Sequence, residues 1–154
     1  MSQTTVQRTR VLFVCMDNAV RSQMAEAFLR VYGGDRFEAR SVGLKPQPIE
    51  PLTIAIMEEL GFDMHRHRSK GLKELPRRLR FDYLVTVCNR AERRCPHLPG
   101  IGERLSWPFE DPARLTGSEE ERLAEFRRVR DGIELFIRGW LGEHAAQLGR
   151  PPRR

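Results

Sequence analysis

Val11-Leu-Phe-Val-Cys15-Met-Asp-Asn-Ala-Val-Arg21-Ser22-Gln-Met-Ala-Glu26 is the segment on which the fold turns. Val11 to Cys15 is a short, continuous apolar run, the pattern of a parallel strand buried on both faces. Met16 to Arg21 reads as a polar turn. Ser22 reads as the cap of a following helix, with Glu26 in its first turns. Met24, Ala27, Phe28 and Val31 recur at helical spacing, and Gly33-Gly34 ends the helix.

Working outward, Phe37 to Val42 alternates as a strand does, and Gly43 breaks it. Pro46 and Pro48 mark a loop. Pro51 opens a second helix through Ile54, Met57 and Leu60 to a stop at Gly61. Residues 62–80 are basic and irregular, with a short helix expected around Gly71–Leu75. Phe81 to Val87 is the next strand and runs into Cys88. Residues 89–103 read as a loop rich in Arg, Pro and Gly, and Leu105 to Trp107 as a short fourth strand. After a loop over 108–117, a long amphipathic helix is expected from Ser118 to Gln147. Leu123, Phe126, Val129, Ile133, Phe136, Ile137 and Trp140 form its stripe, and Trp107, Trp140 and Phe136 are expected in the core. Residues 1–9 and the tail Gly149-Arg-Pro-Pro-Arg-Arg154 read as loose.

Strands alternating with helices imply an α/β fold, a four-stranded parallel sheet with helices on both faces. The 154 residues suit a single domain with its folded core at about 10–147. Sites in such sheets lie beyond the carboxyl ends of strands. Cys15 and Cys88 both fall there, on one edge of the predicted sheet.

Composition narrows the function classes. Hydrophobic residues are 40% and charged residues 31%, as in a soluble globular chain. No apolar stretch approaches the roughly 18–20 residues that span a bilayer, and the N-terminus lacks a secretory pattern. A cytoplasmic protein with no membrane role is expected. The net charge of +6 carries no zinc-finger or RNA-binding signature, so no nucleic-acid partner is expected. The run His65-Arg-His-Arg68 reads as a solvated basic loop. Three cysteines, an odd number in a reducing compartment, argue for redox or nucleophilic use of at least one. With His97 they offer four zinc-type donors, but no Cys-x2-Cys or His-x3-His spacing accompanies them.

The chemistry of Cys15 to Ser22 explains its spacing. A five-residue loop closing into a helix N-terminus points successive N–H groups inward and adds the helix dipole, making an anion cradle. Met16, Asp17, Asn18, Ala19 and Val20 supply the loop, and Arg21 adds a bidentate fork. The same field is expected to lower the Cys15 pKa. Ser22 is placed to bond the sulfur, and Asn18 tolerates left-handed angles. Asp17 puts a carboxylate near an anion site.

On these residues the segment resembles the phosphate-binding loop of the low-molecular-weight protein tyrosine phosphatase superfamily. The ending Ser22-Gln-Met-Ala-Glu26 resembles its arsenate reductase branch, over about residues 10–141. Val85-Thr-Val-Cys88-Asn-Arg-Ala-Glu-Arg-Arg-Cys95-Pro-His97 is similar to the redox segment of thioredoxin-coupled arsenate reductases. The resemblance implies that Cys15 attacks arsenate while Arg21 and Ser22 bind and activate it. Cys88 then attacks Cys15, and Cys95, from a flexible polar segment, attacks Cys88. Arg90, Arg93 and Arg94 are expected to favour the thiolates. Thioredoxin is the implied external reductant, with no bound cofactor and no metal.

Phe109-Glu-Asp111-Pro-Ala resembles the family's Asp-Pro loop, which implies Asp111 as the proton donor; Glu110 beside it has the same chemistry. Asn18, Glu26 and Ser41 match part of a potassium site known in some members. Arg68 and Lys70 fall at its later positions, so either cation is expected to replace the ion. Phosphate and sulfate are expected to compete with arsenate, and the chain is expected to be a monomer. The alternative reading is a phosphatase acting on phosphotyrosine or small phosphoesters, for which Cys15, Arg21 and Asp111 suffice. Such a phosphatase has no need of the Cys88/Cys95 pair.

Overall fold

Four parallel strands form the centre of the computed structural model, which describes residues 7–148. The first six residues and the tail at 149–154, both expected to be loose, lie outside the described residues. Strand β1 spans Thr9–Cys15, β2 Phe37–Gly43, β3 Phe81–Thr86 and β4 Ile101–Ser106. Their order is β2-β1-β3-β4. The helices are α1 Arg21–Gly33, α2 Pro51–Glu58, α3 Asn89–Arg94 and α4 Glu119–Leu148. The expected α/β sheet is present, and Pro51 opens α2 as read.

Val11, Leu12, Phe13 and Val14 are fully buried, as a central strand covered on both faces requires. β1 begins at Thr9, earlier than its apolar run, because Thr9 pairs with Phe37 across the sheet. On one face α1 and α4 pack against each other. Trp140 of α4 meets Phe37 at 5.7 Å and Tyr83 at 5.4 Å there, with the Phe13 ring tilted against Trp107 at 6.0 Å. On the other face Leu12 lines a cavity of about 310 Å³ together with Leu72, Leu75 and Leu79 from the segment between α2 and β3. That segment holds only a 3-10 turn, Leu72–Glu74, where a short helix was expected. Each large side chain buried here, such as Phe28 or Phe126, contributes about 1.5–3 kcal/mol.

Several sequence expectations change. Val31 is 60% exposed, while Met24, Ala27 and Phe28 are buried as read, joined by Ala25 and Leu29. Phe136 packs on Trp107 at 4.8 Å but stays 45% exposed, so it caps the core rather than filling it. The stretch 89–103 is not a loop: it contains α3 and the first half of β4. β4 is an edge strand with little burial, so its residues show no apolar run. Among the described residues, no helix is long and apolar enough to cross a membrane.

The order β2-β1-β3-β4 places the topological switch between β1 and β3. That is where doubly wound sheets open a crevice beyond the carboxyl ends. Val14 pairs with Thr86, and Val87 N–H donates to Val14 O at 3.0 Å. Cys15 and Cys88 therefore leave neighbouring strands, about 4.8 Å apart, on either side of the switch.

Candidate active site

The loop from Met16 to Val20 turns sharply because Asn18 adopts φ 51°, the single positive φ of a non-glycine among the described residues. An asparagine tolerates that angle better than other side chains. The turn aims the Asn18 N–H at Cys15 Sγ, 3.0 Å away. Gly43, at the end of β2, makes room for the loop. A Cβ there would stand 2.8 Å from Met16 O and 2.9 Å from Asn18 N. The N–H groups of Met16, Asp17, Ala19 and Val20 meet no acceptor among the described residues.

Ser22 does not cap α1. The helix starts at Arg21 behind Val20, with no side-chain cap, and Ser22 lies inside its first turn. Its hydroxyl sits 2.8 Å from Cys15 Sγ instead. Asn18 Nδ2 donates to Ser22 Oγ at 2.8 Å, which leaves the serine hydrogen free for the sulfur. An uncapped helix start also leaves its N–H groups and dipole to an anion.

Asn18 is the hub of a buried network. Its Nδ2 also donates to Ser41 Oγ at 2.9 Å, and Ser41 reaches Glu26 Oε1 at 3.4 Å. Its Oδ1 accepts from Lys70 N at 2.8 Å and from Gln23 Nε2 at 2.9 Å. Glu26, only 2% exposed, faces His67 Nδ1 at 3.2 Å, Arg30 at 3.7 Å and Lys70 Nζ at 3.8 Å. Burial raises its pKa, but the His67 hydrogen bond and the Lys70 and Arg30 charges outweigh that and hold the carboxyl below the ordinary glutamate value. Of the two cations expected to stand beside Glu26, Lys70 does so. Arg68 turns away to Glu74 at 2.8 Å.

Met16, Asp17, Arg21, Cys88, Arg93 and Asp111 share one cleft of about 430 Å³. Asp17 is exposed, its carbonyl held by Gln47 N and Ser69 Oγ. Arg21 Nη1 donates to Phe109 O at 2.9 Å, and Nη2 stands 3.8 Å from Asp111 Oδ2. The fork expected to face the loop therefore rests on the Phe109–Asp111 segment. Asp111 Oδ1 accepts from Ala113 N at 3.0 Å. Glu110 is bound by Arg128, which favours Asp111 as the free acid of the pair.

The Cys15 pKa differs from the sequence expectation. Burial pushes the thiol up from its ordinary value, against Ser22, the Asn18 N–H and Arg21, which pull it down. The expectation counted the loop's donors but not the complete enclosure of the sulfur.

Cys88 is buried, and its Sγ accepts the Ala91 N–H at 3.4 Å as the N-cap of α3. Cys95 lies at the far end of α3 and is 7% exposed, not in an open polar segment. All three cysteines are free. Burial raises the Cys95 thiol, and the guanidinium that opposes this is Arg104, not Arg90, Arg93 or Arg94. Arg90 and Arg93 line the cleft, whereas Arg94 does not. Arg104 was invisible as a contributor because it sits on an exposed strand with no motif around it. Arg114 also lines the cleft, and its place three residues after Asp111 was the available cue.

Residues 10–151 match the family described as low molecular weight phosphotyrosine protein phosphatase. An arsenate reductase of Halalkalibacterium halodurans is 39% identical over 80% of this chain and 88% of its own. A solved arsenate reductase in its phosphate-binding state is 27% identical, with TM-score 0.71 over 88% of this chain and 98% of its own. A thioredoxin-dependent arsenate reductase of Corynebacterium glutamicum is 29% identical, with TM-score 0.66 over 94% of this chain and 64% of its own. With its Cys15–Arg21 loop, its Asp111-Pro112 loop and these relatives, the chain belongs to the low molecular weight phosphotyrosine protein phosphatase family and groups with its arsenate reductases.

Proposed function

We propose that this protein reduces arsenate to arsenite with Cys15 as nucleophile, and passes the resulting oxidation to Cys88 and Cys95. The observation that carries this is the pairing of a cradled Cys15 with Cys88 across the switch of the sheet. A phosphatase needs the first and not the second.

Arsenate, a tetrahedral dianion near neutral pH, would enter the loop, where the N–H groups and the start of α1 hold its oxygens. Arg21 would swing from Phe109 O to the anion. Arsenate's basic oxygen can take the thiol proton, which meets the difficulty of a buried, raised Cys15. The Cys15 sulfur then bonds arsenic as one As–O bond breaks, and Asp111 protonates the departing oxygen, which leaves as water. Cys88 next attacks Cys15 Sγ. The S–As bond breaks with its electron pair going to arsenic, so arsenite leaves and a Cys15–Cys88 disulfide remains. Cys95 attacks Cys88 and Cys15 departs as a thiolate.

That last step requires movement. Cys88 and Cys95 flank a six-residue helix, which at 1.5 Å per residue separates their Cα atoms by about 10 Å. A disulfide needs less than about 7 Å. α3 must therefore unwind, which also carries the bridge outward to an external dithiol such as thioredoxin. Cys15, Arg21 and Asp111 also predict weak phosphoester hydrolysis.

The test is arsenite production with thioredoxin, thioredoxin reductase and NADPH. Wild type is expected to turn over, and Cys15→Ser to fall to background while keeping its fold. Turnover by Cys15→Ser at the wild-type rate would remove the nucleophile assignment.

A further inference from the structure

We propose that Arg104 is a positioning residue that latches α3 and so sets how readily Cys95 reaches Cys88. The inference rests on the three-cysteine relay proposed above. Arg104 stands on β4, the edge strand, and reaches across to the C-terminal end of α3. Its Nη2 donates to Glu92 O at 2.8 Å and its Nη1 to Cys95 O at 3.2 Å. Its Nε lies 3.5 Å from Glu92 Oε2, and that carboxylate also accepts the Thr86 hydroxyl. One guanidinium thus holds two carbonyls and one carboxylate of the segment that must open.

The chemistry of a helix end explains why this matters. The last carbonyls of any helix lack partners within it, and a cation there satisfies them and meets the dipole favourably. A helix of six residues has no stability of its own. Ala91 is its one buried side chain besides the flanking cysteines. Arg104 and the Thr86–Glu92 bond therefore tie α3 to the sheet. Every Arg104 contact named here lies on the segment 92–95, and Arg104 does not line the cleft of Arg21 and Asp111. The latch acts on the second exchange and leaves the first alone. In that exchange the Cys95 thiolate bonds Cys88 Sγ, the Cys15–Cys88 bond breaks, and Cys15 leaves as a thiolate. One disulfide replaces another with no net oxidation.

Arg104 also favours the Cys95 thiolate by its charge, and the two roles have opposite signs. Loss of a latch speeds the exchange, whereas loss of the charge alone slows it. Arg104→Lys separates them, since lysine keeps the charge but cannot fork onto both carbonyls.

The experiment uses the full chain, pre-reduced, with Arg104→Ala and Arg104→Lys beside wild type and thermal melts to confirm folding. Native iodoacetamide labelling of Cys95, and conversion of the Cys15–Cys88 bridge to Cys88–Cys95 after one arsenate turnover, are followed by quenched mass mapping. Both rates are expected to rise about ten-fold in Arg104→Ala, the scale of one charge-assisted hydrogen bond, and to rise further in Arg104→Lys, which keeps the charge that favours the thiolate. Single-turnover arsenite from Cys95→Ser is expected to be unchanged when Arg104→Ala is added. Unchanged or slower Cys95 labelling in both variants overturns the latch, as does loss of arsenite in the double variant alone. If Cys95→Ser itself yields no arsenite the relay fails, and the labelling rates still decide the latch.

Discussion

Asn18 does more at this site than its place in a loop announced. Its backbone takes the left-handed angle that aims an N–H at Cys15, and its side chain meets Ser22, Ser41, Gln23 and Lys70 N. The angle was readable, because asparagine is one of few residues that accept it. The four-way network was not, since three of its partners arrive from outside the loop segment or behind it. Asn18→Ala leaves buried donors and acceptors unpaired and is expected to destabilise the fold by about 3 kcal/mol. Arsenate turnover should fall at least ten-fold even at temperatures where the variant stays folded. Chemical denaturation and steady-state kinetics on the same preparation check both. Ser22 shows the opposite lesson: its type suits a helix cap, yet the sulfur 2.8 Å away claims its hydroxyl.

Glu26 gives a residue-scale pH prediction. The folded protein holds its carboxyl below the ordinary value, so the unfolded chain binds the proton more tightly. The stabilisation is present above the unfolded value of about 4.3. It is lost as pH falls through the lower folded value. Urea midpoints of wild type should therefore drop as pH falls from about 5 to 3, and Glu26→Gln should flatten that part of the profile. An identical slope in both would show that other carboxylates carry the acid sensitivity.

Among the elements, the buried strands and the long helices were legible because each buries an apolar run or a periodic stripe. Val11 to Val14 and the Phe126, Val129, Ile133 and Ile137 stripe of α4 are buried as read. The short elements were not. α3 spans Asn89–Arg94 with four of its six residues charged, so no periodicity marks it. β4 exposes most of its residues, including Gly102, Glu103 and Arg104, so it lacks the alternation expected of a strand. Gly43 was read as the residue that breaks β2. Its structural role is the close approach of the Met16–Val20 loop to the strand end. Gly43→Ala must push Met16 and Asn18 by several tenths of an ångström, at a cost of about 1–3 kcal/mol. KM for arsenate is expected to rise more than ten-fold with a smaller change in stability, measured by initial rates and thermal melts. A normal KM would mean that the loop tolerates the shift.

On the scale of the whole molecule, the sheet order is what brings the chemistry together. β1 and β3 are neighbours only because the chain crosses over between β2 and β3, and that crossover sets Cys15 beside Cys88 from 73 residues away. Strand ends at both cysteines made this edge readable in advance. The burial of Cys95 was not readable, since it depends on packing between β4 and the helix. The charge pattern follows the same logic: Arg21, Arg90, Arg93 and Arg114 surround the cleft and would draw in a small oxyanion.

The proposed relay passes oxidation in order from Cys15 through Cys88 to Cys95. The direct measurement is one turnover of arsenate by pre-reduced protein, quenched and mapped for disulfides by mass spectrometry, in wild type and Cys95→Ser. The relay predicts one arsenite per chain, a Cys88–Cys95 bridge in wild type and a trapped Cys15–Cys88 bridge in the variant. Three free thiols and no arsenite, beside vigorous phosphoester hydrolysis, would contradict it and leave a phosphatase.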